Sequence, residues 1–90
     1  MPIISNHFSV GTAAVQIVNA AMNGQHVCIH NHEHSQNNNV YIGGSDVSIT
    51  NGIHAQATLT SQITIGPGDS LWAIADSGTN ELHVMVIRQD

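Results

Sequence analysis

Strict alternation of apolar and polar positions is the clearest regularity in the chain. In "AQATLTSQITI", Ala55, Ala57, Leu59, Ser61, Ile63 and Ile65 share one face, while Gln56, Thr58, Thr60, Gln62 and Thr64 share the other. That is the period of a strand with one wet face. In "QHVCIHN", Val27 and Ile29 point one way and His26, Cys28 and His30 the other, which sets the imidazoles opposite the core side. "ELHVMVI" carries Leu82, Val84 and Val86 on one face and Met85 and Ile87 on the other. It reads as a strand covered on both sides, by a second sheet or by a neighbouring subunit. With "AAVQIV", "NVYIG", "DVSIT" and "SLWAIA" the chain offers about seven strands. No stretch sustains a helical period, and "VNAAMNGQ" reads as a loop or a single helical turn.

Turn chemistry separates these segments at short intervals. Gly43 and Gly44 end "NVYIGG", and Asn51-Gly52 is the dipeptide that best suits a hairpin needing positive φ. Pro67 and Gly68 in "GPGD" occupy the central positions of a type II turn, and "SGTN" makes the next reversal. The fold class that follows is all-β: a single antiparallel β-sandwich or small barrel, jelly-roll or immunoglobulin-like, over residues 1–90. Residues 1–7 are read as an N-terminal arm, with a first strand as the alternative.

Ninety residues leave room for one hydrophobic core. Apolar burial worth about 130 kcal/mol stands against an ordering cost of about 135 kcal/mol, so burying more surface against copies of itself or a partner helps such a chain. Charged residues make up only 8%, and Arg88 is the one Lys or Arg present, which leaves a nucleic-acid backbone almost nothing to bind. The formal charge of −5 comes from scattered acids rather than a run. Cys28 is the single cysteine, so no intrachain disulfide is possible. The opening "MPIISNHFSV" lacks a secretory pattern, and no segment has the apolar length of a membrane span. The expectation is a soluble protein with no nucleic-acid and no membrane partner.

Candidate chemistry concentrates in "IHNHEH". His30 and His32 share a strand face, His34 continues the alternation, and such imidazoles are ligands for zinc, iron or manganese. Gly24, then five residues, then His30-Asn31-His32 resembles the opening of the first cupin motif. The pattern then breaks: the glutamate of that motif falls at Gln36 or Asn37, and no histidine follows the "GPG" turn. The plainer reading makes His32, Glu33 and His34 exposed loop residues and His30 the end of a strand. A structural metal at His30, His32 and His34 stands as the second reading, and catalysis as the last. Cys28 sits among apolar neighbours in sequence and reads as inert; Trp72, Tyr41 and Phe8 read first as packing residues. No cofactor is expected.

Taken in order, "VGTAAVQIVNAAMNGQHVCIHN", "NVYIGGSDVSITNG" and "ITIGPGDSLWAIADSGTNELHVMVI" resemble a family of small β-sandwich structural proteins and domains of tailed bacteriophages. The resemblance runs from about Ser9 to Ile87. It implies a noncatalytic virion protein, first a capsid decoration or cement protein on the outer head, then a head-fibre or tail adhesion module. The implied partners are the major capsid protein and further copies of the chain, as a homotrimer. The implied location is the capsid surface, with the host cytoplasm during assembly. Ile3 and Ile4 of the arm, with Phe8, are the candidate capsid or intersubunit contacts. "HEHSQNNN" is longer and richer in histidine than the loop the resemblance leads one to expect.

Overall fold

The structure is a computed structural model of the chain and describes residues 3–31, 39–55 and 60–88. Among these residues there are eight strands and no helix. The strands are β1 (Ile3–Val10), β2 (Val15–Val18), β3 (Gln25–Asn31), β4 (Val40–Gly43), β5 (Ile53–Ala55), β6 (Thr60–Ile65), β7 (Leu71–Ala75) and β8 (Asn80–Arg88). They form two antiparallel four-stranded sheets, ordered β1-β8-β3-β6 and β2-β7-β4-β5. The sequence-order pairs β1·β8, β2·β7, β3·β6 and β4·β5 are all hydrogen-bonded neighbours. The chain is thus one long hairpin, nested strand within strand and rolled into two layers, which is the jelly-roll form of the expected sandwich.

Alternation puts one side of each strand into the space between the layers. β3 contributes Val27 and Ile29, β8 contributes Leu82, Val84 and Val86, and β7 contributes Leu71, Ala73 and Ala75, all at most 5% exposed. Val10, Ile17, Val18, Val40 and Ile42 join them, with Ile4, Phe8, Val15 and Ile63 packed at the margin. Three buried polar residues sit among these: Gln25 donates to the Asn19 carbonyl at 2.9 Å, Asn31 to the Ala55 carbonyl at 2.9 Å, and Asn80 to the Ser77 carbonyl at 3.4 Å. Asn31 in particular ties β3 of one sheet to β5 of the other.

Several expectations are corrected. The N-terminal segment is no free arm from Ile3 onward: it pairs with β8 along its whole length, Ile3 opposite Ile87 to Val10 opposite Asn80. Its own alternation, with Ile4, Phe8 and Val10 turned inward, suits it to an edge strand. "DVSIT" is no strand. Val47 donates to the Gly44 carbonyl at 3.0 Å, Gly52 to the Ser48 carbonyl at 3.1 Å, and Asn51 Oδ1 accepts from the Ser48 backbone at 2.7 Å. Short polar side chains offering the backbone local partners win over a ladder there. "AQATLTSQITI" begins at the last residue of β5 and ends with β6, which lie in different sheets, and residues 56–59 between them lie outside the described residues.

The Pro67-Gly68 turn forms as its sequence predicts, with Gly68 at φ 80° and Asp69 donating to the Gly66 carbonyl at 3.2 Å. Gly78 in "SGTN" takes φ 65°. Gly52 does not take positive φ; its glycine is required by close approach, because a Cβ there would stand 2.7 Å from Tyr41 Cβ and 2.9 Å from Val47 Cγ2.

A candidate histidine row on the outer sheet face

Strand register decides which outward side chains become neighbours. On the outer face of the β1-β8-β3-β6 sheet, Ile3, Ile87 and His26 lie side by side on β1, β8 and β3, followed along the strands by Ser5, Met85 and Cys28, then by His7, His83 and His30. Three histidines from three consecutive strands therefore stand in one row. The His7 and His83 ring centres are 5.7 Å apart, and those of His83 and His30 6.3 Å. Glu81 adds a carboxylate oxygen 4.0 Å from His83 Nε2, with both side chains about half exposed. Beside the row lies a shallow cleft of about 250 Å³, lined by Ser5, Asn6, Cys28, His30, His83 and Met85 among others. Among the described residues no group of three His, Cys, Asp or Glu side chains is arranged to hold a metal ion.

Of the three histidines singled out in "IHNHEH", His30 ends up in this row, half-buried and across from His83; His32 and His34 lie outside the described residues. His7 and His83 were missed as site residues. The signal for His83 was present, since alternation places it on the face of Met85 and Ile87, opposite Leu82. His7 became legible only once Ile3–Val10 was a strand. Cys28 is half-buried on this same outer face, beside Met85 and Gln62 in register, rather than among apolar neighbours alone. His26 stands apart from the row, with Nδ1 3.0 Å from Thr64 Oγ1.

The candidate contact residues are separated by the same alternation. Ile3 faces outward at 63% exposure, whereas Ile4 and Phe8 turn inward and pack against the core. Ile4 and Phe8 also line a cleft of about 260 Å³ with Gln16 and Val18 of β2 and with Arg88. β8 is covered on its Leu82 side by the second sheet; its Met85 side is open in the single chain, with Met85 37% exposed.

The outer face of the other sheet carries Trp72 and Tyr41. Trp72 lies opposite Gly43 and Gln16 in register, half-buried, with Nε1 donating to Ser70 Oγ at 3.3 Å. Tyr41 stands across from His54, their ring centres 5.4 Å apart.

No protein-family model and no curated protein matches the chain. Among solved structures it is similar to a chain described in the words "Bacillus endospore appendages form a novel family of disulfide-linked pili", with a TM-score of 0.58 over 94% of this chain and 82% of that one. At 9% identity the likeness shows the fold alone.

Proposed function

We propose that the chain is a noncatalytic structural subunit of a bacteriophage virion, and specifically a capsid decoration protein that binds the outer head and other copies of itself. The observation that carries this reading is the open apolar strip on the β1-β8-β3-β6 face. Ile3 and Ile87 are cross-strand neighbours, Met85 follows on β8, and Ile3 is 63% and Met85 37% exposed. A nearly cation-free sheet face with an apolar strip is a surface for adhesion to protein. Support also comes from the resemblance over Ser9 to Ile87, whose "GPGDSLWAIA" segment makes the turn and strand its order implies. The mechanism is mechanical: each contact made only with the assembled shell must break before the shell expands or bursts, so binding stabilises the assembled state.

The fold-level neighbour belongs to a family of disulfide-linked pili, so a comparable frame is used there in an assembled structure. A disulfide link between copies of this chain would have to use Cys28, its single cysteine.

A second reading, a head-fibre or tail adhesion module, draws on the opposite face, where Trp72 and Tyr41 are each half-exposed and His54 is exposed. Imaging of purified virions with and without the protein distinguishes the two, together with the solution mass. Density over the shell and a trimeric mass are expected. Density confined to the tail, with glycan binding lost in Trp72→Ala, would replace decoration by adhesion.

A further inference from the structure

We infer that the edges of the β1-β8-β3-β6 sheet join copies of this chain, with β6 of one copy pairing antiparallel to β1 of the next. The inference rests on the self-association included in the proposed function and does not need the virion. β1 and β6 end this sheet among the described strands, so each presents one side of its backbone to no other described strand. Proteins that stay single blunt such edges with short strands, bulges, proline or charge. The two sheets differ in this respect. β2 and β5, the edges of the other sheet, have four and three residues, and the β2·β7 register shifts between Gln16 and Val18. β1 and β6 have eight and six residues, pair with β8 and β3 in unbroken register, and contain no Pro, Asp, Glu, Lys or Arg. One sheet is guarded against extension and the other is open to it.

Strand direction and side-chain alternation select the partner. β1 runs antiparallel to β8, β8 to β3 and β3 to β6, so β1 and β6 run in opposite directions. A second copy set beside the first in the same orientation therefore offers β1 to β6 as an antiparallel strand, with inner face continuing inner face. On the inner side the junction joins Ile63 of β6 to Ile4 and Phe8 of β1, which are only half-buried at the margins of their own cores. On the outer side it joins Gln62 and Thr64 to Ser5 and Ser9, and neither strand brings an acid or an Arg to oppose the contact. Main-chain bonds supply the affinity, and the covered apolar margins add to it. The contact is heterologous, so repeating it closes a ring, as the proposed trimer requires, or continues as an open row.

The test is sedimentation equilibrium over a concentration series of the parent, Asn6→Lys and Ser61→Lys, with circular dichroism of each to verify folding. Asn6 and Ser61 are exposed residues at inward positions of β1 and β6, opposite Val84 and Ile29, so a Lys at either is wetted in the single chain and trapped in the junction. Each variant alone should associate about a hundredfold more weakly than the parent, because the junction would bury an unpaired ammonium. An equimolar mixture of the two should recover dimers with one chain of each kind, since the first keeps an intact β6 and the second an intact β1. Weakening in only one variant would mean that an edge pairs with its own copy about a twofold axis, and would overturn the inference. An oligomer that neither variant weakens would overturn it while leaving self-association in place, and a parent that stays monomeric throughout would overturn both. Should either Lys variant lower the folded fraction, Asp at the same position takes its place under the same criteria.

Discussion

Asn39 and Asp76 clasp each other through both backbone and side chain. The Asn39 backbone N–H donates to Asp76 Oδ1 at 2.9 Å, its Nδ2 donates to Oδ2 at 2.9 Å, and the Asp76 N–H returns a bond to the Asn39 carbonyl at 2.9 Å. This clasp continues the β4·β7 ladder one step beyond Val40 opposite Ala75. It also holds the Asp76 carboxyl below its ordinary value: the backbone bond from Asn39 is the largest cause, the side-chain bond from Asn39 the next, against a smaller upward push from burial. A carboxylate with a depressed folded pKa contributes stability that is complete above its unfolded value and is lost as pH falls through the folded one. Asp76→Asn is therefore expected to be less stable than the parent at neutral pH, with the difference shrinking through the acid range. Denaturant midpoints measured from pH 7 down to pH 2 check this, and a difference that stays constant would show that charge is not its source.

Two glycines of similar appearance should respond differently to substitution. Gly52→Ala would force a Cβ to within 2.7 Å of Tyr41 Cβ, so a cost of about 1–3 kcal/mol is expected. Gly68 has nothing within 4 Å of its Cβ position, but its φ of 80° penalises Ala by about 1–2 kcal/mol. Asn tolerates that backbone region, so Gly68→Asn should recover most of the loss while Gly52→Asn recovers none. Urea unfolding of the four variants is the measurement.

Truncation in the core should be severe. Ile29 and Leu82 are 2% and 0% exposed, and replacing either by Ala is expected to cost about 2–5 kcal/mol. For a domain of this length total stability is of the order of 5–13 kcal/mol, so either change removes a large share. Truncating Gln62 on the exposed outer face of β6 should stay within about 0.5 kcal/mol.

The buried amides also differ from each other. Asn31, 1% exposed, bonds the Ala55 carbonyl across the two sheets, and Asn31→Leu should cost about 1–3 kcal/mol by leaving that carbonyl without its donor. Gln25 donates to Asn19, an exposed residue, while its Oε1 is buried without a partner among the described residues. Gln25→Leu removes that unpaired oxygen along with the donor, and thermal melts are expected to show a much smaller loss than for Asn31→Leu.

What the sequence made legible was whatever depends on neighbours in the chain. The period of two in "QHVCIHN" separated Val27 and Ile29 from His26, Cys28 and His30 as the structure does, and Pro67-Gly68 formed its turn. "DVSIT" misled because Ser48 and Asn51 satisfy the backbone locally, a competition that strand preference does not register. The histidine row was hidden for another reason. His7, His30 and His83 are far apart in sequence, and only long-range register makes them neighbours. His32 and His34, the companions of His30 that lie nearest in sequence, are outside the described residues.

The nested pairing sets a timetable for biosynthesis. β8, the last strand, lies in the middle of its sheet with β1 on one side and β3 on the other. A nascent chain emerging from the ribosome can close the β4·β5 hairpin early, but β8, the one partner of β1 among the described strands, is complete only once translation has passed Arg88. The hydrogen-bonding edge of β1 stays open throughout that interval, so crowded polysomes with neighbouring nascent chains are where mispairing between copies would begin.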